Sequence, residues 1–566
     1  MERHELAIAP IHEYYVSSPS PDSTQAHPPP TSLQAKRTKP PAPSTSLYLV
    51  LVIGSLYLGT FLVALDTTIL GTVIPAITTD FHALDQIAWY GSSYLLALTA
   101  LQPTFGKLYK VVDTKLLYLA SIAVFEVGSI VCAAASSSPV FIVGRAVAGC
   151  GAAGLMQGSF AIVTKTVPLA KRPFYFGLFV SAFGVSIGIG PVLGGTLADR
   201  GMWRWCFWMN LPLGAVVILL VAAFLKLQSV DGGVMDRPSR SGRHIFFQLD
   251  PVGSILMIAS VCCLLLAMQW GGQSLPWTSP KIITLFILSG ILLVLFVLVE
   301  WKMGEDASVP FCVLKQRSIA FGTVYLFLFS MPNFSYGVYI PLFFQAVKGF
   351  SAQRSGAEIL FLALTQILIV VLVGALVSRF GYYTPFIIGG TALSVIGSGL
   401  VILLDIDTTH TAWAAYFVIC GIGIGAAINL PYTAVSTVLN EVDMVTGNAL
   451  LQFSFQLGGA VSLCISQTVF LGTLKSGLQD TLPNMSVSAV IKAGAANLPA
   501  LAESQAELHL LRMAYQNALG DVFIFLLVTG GLAFLASFGF EHKSVRKVGG
   551  ERKEGDGGDH QTADMA

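Results

Sequence analysis

GLFVSAFGVSIGIGPVLGGTLADRGMWRWCFWMNLP, residues 177–212, is the stretch on which the reading of the fold turns. It begins as an apolar helix carrying Gly177, Gly184, Gly188, Gly190, Pro191, Gly194 and Gly195. It turns at Asp199-Arg200-Gly201 and re-enters through Trp203, Arg204, Trp205, Phe207 and Trp208. In water each glycine costs a helix roughly 1 kcal/mol and a mid-helix proline about 3. In a bilayer, neighbouring helices press on the bare backbone and re-satisfy it, so the same composition becomes a close-packing surface. The stretch predicts a membrane protein whose helices meet closely here and have to move.

Composition agrees. Hydrophobic residues make up 54% of the 566 and charged residues 11%, and mean hydropathy is +0.72. That is too apolar for a soluble surface. A net charge of +1 gives no basis for binding nucleic acid. Of eight cysteines, seven (Cys132, Cys150, Cys206, Cys262, Cys263, Cys420, Cys464) lie in or beside apolar segments, and no CxxC pair occurs. They read as small core residues. None of the nine histidines falls inside an apolar span, so neither haem, metal nor any other cofactor is expected. Residues 1–46 are polar and rich in Pro, Ser and Thr; they read as a disordered cytosolic tail with no cleavable signal peptide.

A span needs about 20 apolar residues. Fourteen such segments are predicted, at 47–76, 86–107, 115–135, 139–163, 174–197, 206–227, 250–270, 281–301, 319–345, 356–378, 384–404, 411–437, 447–472 and 519–540. The even-to-odd connections carry Lys107, Lys110 and Lys115, then Lys165, Lys171 and Arg172, then Arg237, Arg240 and Arg243, then Lys302, Lys315 and Arg317. The opposite connections are nearly free of lysine and arginine, with Arg200, Arg204, Lys348 and Arg354 as local exceptions. Positive charge stays inside, so both ends are expected in the cytosol. The longest outer connection, 473–518, holds Asn484-Met485-Ser486, a glycosylation acceptor on the correct side.

The halves echo each other. Gly106-Lys107-Leu108 follows the second span, as Gly374-Ala375-Leu376 with Arg379 and Gly381 follows the tenth. Gly149, Gly151, Ala152 and Ala153 of the fourth are matched by Gly423, Gly425, Ala426 and Ala427 of the twelfth. The division expected is a six-helix bundle at 47–227, a cytosolic linker and inserted helices 7–8 at 228–318, a second bundle at 319–540, and a cytosolic tail at 541–566. Parallel repeats of this kind rock about a site near the bilayer midplane.

Few ionisable residues lie deep in the spans: Asp66, Glu126 and Arg145. Each costs about 2.5–3.5 kcal/mol to insert, and such residues usually face the bundle interior and function there. At 1.5 Å per residue Asp66 lies about 15 Å and Arg145 about 9 Å from the outer ends of their spans, close enough in depth for an ion pair. Burial without a partner favours the neutral form of a carboxyl, so Glu126 or Asp66 is the expected proton carrier, with Arg145 modulating it. The plainer reading is a static pair that fixes helix register. Gln157, Gln269, Asn333, Gln345, Asn429, Gln452 and Gln456 are the amides in spans. They line a mostly apolar substrate pocket or simply bond helix to helix.

No nucleotide-binding loop, HExxH or supported GxSxG occurs, so no enzyme is read. The residues resemble the major facilitator superfamily, specifically its fourteen-helix drug:proton antiporters in their fungal toxin-efflux branch, over about 45–540. Gly177, Gly190, Pro191, Gly194 and Gly195 resemble the antiporter motif of helix five, with Ser186 where that motif usually has glycine. Arg145, Gly149, Gly151, Ala152 and Ala153 resemble the helix-four motif, whose arginine is implicated in proton coupling. Leu65-Asp66-Thr67-Thr68-Ile69 resembles the helix-one signature. Trp203-Arg204-Trp205 through Asn210-Leu211-Pro212 resembles the helix-six entry, and Tyr339 to Gly356 resembles the toxin-exporting branch. The loop after helix two departs from the pattern. Lys110 stands where an aspartate is usual, which removes the expected charge lock between bundles there, while Arg379 and Gly381 keep part of it in the second half. Ser186 is expected to leave helix five slightly looser.

The resemblance implies an all-α membrane protein of the major facilitator fold, with two six-helix bundles and two inserted helices. It implies a monomeric proton-coupled exporter of small hydrophobic molecules, secondary metabolites, toxins or drugs, in the plasma membrane. The alternative is a vacuolar or plasma-membrane carrier of basic amino acids or siderophores.

Overall fold

The structure, a computed structural model, describes residues 45–82, 86–225, 250–272, 275–304, 307–482, 485, 490 and 498–548. The long helices are α1 (Thr45–Phe81), α2 (Ile87–Val111), α3 (Thr114–Ala133), α4 (Ser138–Thr166), α5 (Arg172–Asp199), α6 (Asn210–Phe224), α7 (Pro251–Trp270), α8 (Pro280–Met303), α9 (Arg317–Ala346), α10 (Leu360–Phe380), α11 (Thr384–Ile402), α12 (His410–Ala427), α13 (Glu441–Thr481) and α14 (Gln505–Ser537). The short helix Trp205–Trp208 leads into α6, Ala352–Glu358 into α10, and Leu430–Val438 continues α12. Among the described residues only two isolated bridges have β geometry. Thirteen helical stretches are long and apolar enough to cross a membrane. The remaining expected span is α2, 25 residues long, which carries Gln102, Lys107 and Lys110 in its second half.

Local chemistry sets several boundaries. Asp113 caps α3 by accepting from the Leu116 N–H at 2.8 Å. Gly381, at φ +89°, ends α10 in the left-handed conformation that glycine adopts without a Cβ clash. Pro103, Pro191, Pro332 and Pro341 all lie inside helices, as a membrane setting allows.

In the first six helices α4 packs on α2 and α3, and α3 on α6. In the last six α9 packs on α13 and α14, α12 on α10 and α11, and α11 on α14. The most extensive crossings between these groups are α5 with α10 and α2 with α13. α7 and α8 pair with each other through Ser260 and Ser289, whose hydroxyls each donate to the other's carbonyl at 2.9 Å. α7 also lies on both α2 and α13, with Met257, Val261 and Leu265 buried against Ala100 and Phe453. This is the fold expected, two bundles with an inserted pair.

Two segments differ from expectation. The connection 473–518 is in good part helical, because α13 runs on to Thr481 and α14 starts at Gln505. Leu474 and Leu478 on one helix and Leu508, Leu511 and Tyr515 on the other are all buried. Their spacings of three and four residues put them on facing stripes, so the two helices continue together past the membrane-length segment. The start of the 541–566 tail is docked: the Val545 N–H donates to Gly381 O at 2.8 Å and the Tyr383 hydroxyl to Glu541 O at 2.8 Å. Residues 1–44, the linker arginines Arg237, Arg240 and Arg243, and Asn484 lie outside the described residues.

Candidate functional site

Asp66 on α1 and Arg145 on α4 meet as an ion pair at 2.5 Å, each side chain 1% exposed. Arg145 also donates through Nε to Tyr90 O at 2.9 Å, and its guanidinium lies 4.4 Å from the centre of the Tyr94 ring. The second Asp66 oxygen, Oδ1, has no hydrogen-bond partner. Desolvating two charges is expensive and is offset only by good geometry and filled valences. This pair has the first and lacks part of the second.

Glu126 stands elsewhere. It faces α6, where a Cβ added at Gly214 would overlap its carboxyl group. Neither of its oxygens has a hydrogen-bond partner among the described residues. Near it, Asn210 of α6 donates to Ser129 Oγ of α3 at 3.1 Å. The three deep charges thus divide into a pair between α1 and α4 and a lone carboxyl between α3 and α6.

The glycines of α5 face two neighbours. A Cβ at Gly177 would come within 2.8 Å of Val370 O on α10, and one at Gly184 would strike Ile367 of the same helix. A Cβ at Gly190 would strike Thr68 of α1 and lie 3.2 Å from Ile69 N, and one at Gly194 would lie 2.8 Å from Ile69 Cγ1. Gly195 faces open space, which corrects its expected part in the close packing. The expected looseness at Ser186 is corrected as well: it is fully buried, its hydroxyl donates to Ala182 O at 2.9 Å, and its carbonyl accepts from Thr68 Oγ1 at 3.0 Å. Thr68 is two residues from Asp66, about 3 Å along α1 and half a turn around it, so the ion pair and the glycine face of α5 lie at one level on opposite sides of α1.

Near the middle of the spans four helical segments are joined by polar and aromatic side chains. Gln157 of α4 donates to Gln102 Oε1 of α2 at 2.7 Å. Phe160 of α4 stacks on Tyr432, with ring centres 4.8 Å apart, and the Tyr432 hydroxyl donates to Gln452 Oε1 of α13 at 2.7 Å. Nearer the basic end, Asn429 donates to Pro173 O at the start of α5 at 3.3 Å. Gln102 and Gln157 are each nine residues, and Gln452 eleven, from the end of the helix nearest Lys107 and Lys110. At 1.5 Å per residue that is about 14–17 Å, half of a 30 Å hydrocarbon core. Gln102 Nε2, Gln157 Oε1, Asn429 Oδ1, Thr433 Oγ1 and both amide atoms of Asn448 are buried without a partner. Of the amides picked from the sequence, Gln157 and Gln452 share in this girdle, Asn429 bonds to α5 nearer the basic end, and buried Gln456 is one turn beyond Gln452. Asn333 and half-buried Gln345 of α9 have no recorded bond to it among the described residues, and Gln269 donates instead to Ser92 of α2. Gln102, Phe160, Tyr432 and Asn448 were not singled out. Gln102 carries the same signal as Gln157, an amide in an apolar run; the aromatics carry none.

At the basic end, where Lys107, Lys110, Lys165 and Arg172 lie, the two groups of six are in contact. Lys110 of α2 bridges Asp443 of α13 at 2.9 Å. This corrects the expected loss of the charge lock: the lysine is on one side and an aspartate supplied by the other. A Cβ at Gly106 would overlap the Ala449 methyl of α13, and one at Gly374 would lie 2.7 Å from Pro173 O. Arg172 donates to Thr164 O and Val167 O at 2.5 and 2.9 Å, closing the end of α4, and reaches Met444 Sδ at 3.1 Å. Arg379 is exposed, with no ion pair recorded for it among the described residues.

The family model described as Major Facilitator Superfamily matches residues 56–463. The chain is 38% identical over 504 residues to the MFS-type efflux pump MFS1 of Arthroderma benhamiae, covering 89% of this chain and 93% of that one. It is 38% identical to the Aspyridones efflux protein of Neocamarosporium betae, covering 90% of each, and 36% identical to Efflux pump aflT of Aspergillus parasiticus, covering 89% and 97%. In three dimensions it resembles the human organic anion transporter MFSD10, with TM-score 0.56 at 14% identity over 86% of this chain and 99% of that one. It also resembles a bacterial homologue of the lysosomal transporter Spinster, with TM-score 0.53 at 13% identity over 88% and 98%. These two likenesses bear on the fold alone.

Proposed function

The chain belongs to the Major Facilitator Superfamily, and on that premise we propose that it is a proton-coupled efflux carrier of small hydrophobic molecules. The observation that carries the reading is the buried Asp66–Arg145 pair, two residues along α1 from the bond that ties Thr68 to α5. A proton arriving on Asp66 neutralises one partner and weakens its hold on Arg145. The disturbance passes through Thr68 to the helix whose glycines press on α1 at one end and on α10 at the other. Glu126, without a hydrogen-bond partner, is the second carboxyl available to hold a proton. Rocking at the α5–α10 and α2–α13 crossings would then exchange access to a midplane pocket.

The girdle of Gln102, Gln157, Phe160, Tyr432, Asn448 and Gln452 supports the substrate class. Aromatic faces and a few orienting amides suit an apolar molecule with scattered polar atoms. The similar Aspyridones efflux protein and Efflux pump aflT point to the same direction of transport. The charge asymmetry supports placing the basic end in the cytosol, and export from the cell is the reading that puts the carrier in the plasma membrane.

The test is uptake into inside-out vesicles under an imposed pH gradient. Hydrophobic secondary metabolites should accumulate, and a proton ionophore should abolish the accumulation. Uptake indifferent to the ionophore removes proton coupling. Uptake of lysine or an iron chelate, with no hydrophobic compound moved, replaces the substrate class.

A further inference from the structure

α7 lies across the seam between α2 and α13 and is held to α2 at both ends. At the end away from the basic residues, Gln269 donates to Ser92 and Trp270 meets Trp89 edge-on at 6.0 Å. At the basic end two carboxyl groups of the inserted helices come near Lys107 of α2. Asp250 precedes α7 and caps it: one oxygen accepts from the Gly253 N–H at 2.8 Å and the other from Ser308 Oγ at 2.8 Å. The next residue, Val309, donates its N–H to Glu300 Oε2 at 2.9 Å. Ser308 and Val309 therefore hold two carboxyl groups side by side, within hydrogen-bonding reach of each other, and Lys107 of α2 acts on Glu300 from across the interface. Exposure is 1% for Asp250, 2% for Glu300 and 6% for Lys107. One turn on, Lys110 faces Asp443 instead.

Every oxygen of the two carboxyls but one has a donor. Glu300 Oε1 is buried and has none among the described residues. A buried oxygen left in that condition is costly, and two ionised carboxylates in contact repel. One proton between them cures both defects, since Glu300 then donates to Asp250 and the group of three becomes neutral. We propose that Asp250 and Glu300 form a proton-binding pair that, with Lys107, fastens the inserted helices across the seam at the basic end. It is a titrating site separate from Asp66 and Arg145. When the proton leaves, two negative charges face each other beside one ammonium. The hold of α7 on α2 then weakens next to the Lys110–Asp443 contact.

Infrared spectroscopy of the purified protein in lipid nanodiscs, titrated with acid and base, reads the site directly and needs no transport substrate. It therefore stands or falls apart from the efflux reading. Wild type should show a carboxylic-acid carbonyl band that disappears in Glu300→Gln and persists in Asp66→Asn. In Lys107→Gln the same band should survive to higher pH, because the cation that favours ionisation is gone. If Glu300→Gln leaves every acid band unchanged, Glu300 is ionised and the pair does not exist. Ser308→Ala, which removes a donor from Asp250 and leaves both carboxyls in place, guards against a folding failure of Glu300→Gln. It must shift the band in frequency or in titration midpoint, and an unmoved band overturns the proposal.

Discussion

At Asp66 the decisive quantity is what each substitution leaves behind. Asp66→Asn strands the Arg145 guanidinium in a dry site, which costs about 3–5 kcal/mol. It should lower the melting temperature and abolish transport driven by a pH gradient. The double variant Asp66→Asn with Arg145→Gln removes both charges. Thermal melts should show most of the stability recovered, while vesicle assays show coupling still lost. A double variant that still couples would assign the pair to helix register alone. Glu126→Gln should change stability by less than about 1 kcal/mol, because neither oxygen has a bond to lose. Its effect should appear in the pH profile of uptake, and an unaltered profile would remove Glu126 from the proton path. The sequence made the first pair legible, since counting residues inward along two spans gave compatible depths. It could not show which way Glu126 faces, because the answer lies in Gly214, 88 positions further on by number, a glycine unlike none of its many neighbours in composition.

The helix that presses on both sides is α5. Its run of glycines marked close packing from composition alone, but not against what. The structure assigns Gly177 and Gly184 to α10, Gly190 to α1, and Gly195 to open space. The sequence motif treats these glycines as equals, and packing does not. Gly190→Ala should cost about 1–3 kcal/mol by overpacking against Thr68 and slow transport without moving any titration midpoint. Gly195→Ala should stay within about 0.5 kcal/mol and transport normally. Parallel melts and initial rates check the pair; equal damage at both sites would return α5 to a uniform glycine helix. Ser186 shows why a mismatch to a motif is hard to read in isolation. Its side chain turns back onto its own helix, while its backbone carbonyl makes the interhelical bond.

Across the whole molecule, the crossings at the basic end join residues that the sequence holds far apart. Lys110 and Asp443 are separated by 333 positions, so nothing local announces that they meet, although the spans themselves were legible as apolar runs. The pair is 27% and 29% exposed, so its contribution to stability is discounted to under about 1 kcal/mol. Its larger effect should be on the balance between access states. Lys110→Glu should open the basic end, read as faster thiol labelling of a cysteine placed at Ala449. Adding Asp443→Lys should restore the wild-type labelling rate. The long helices beyond the membrane-length segment have a further consequence. α13 is one helix of 41 residues, about 60 Å of rod at 1.5 Å per residue, and Lys110 grips it close to its first turn. A stiff rod held near one end magnifies angle into distance. Spin labels or fluorophores at Thr481 therefore serve as the pointer of a gauge, turning a small tilt at the seam into a displacement that single-molecule measurements can follow.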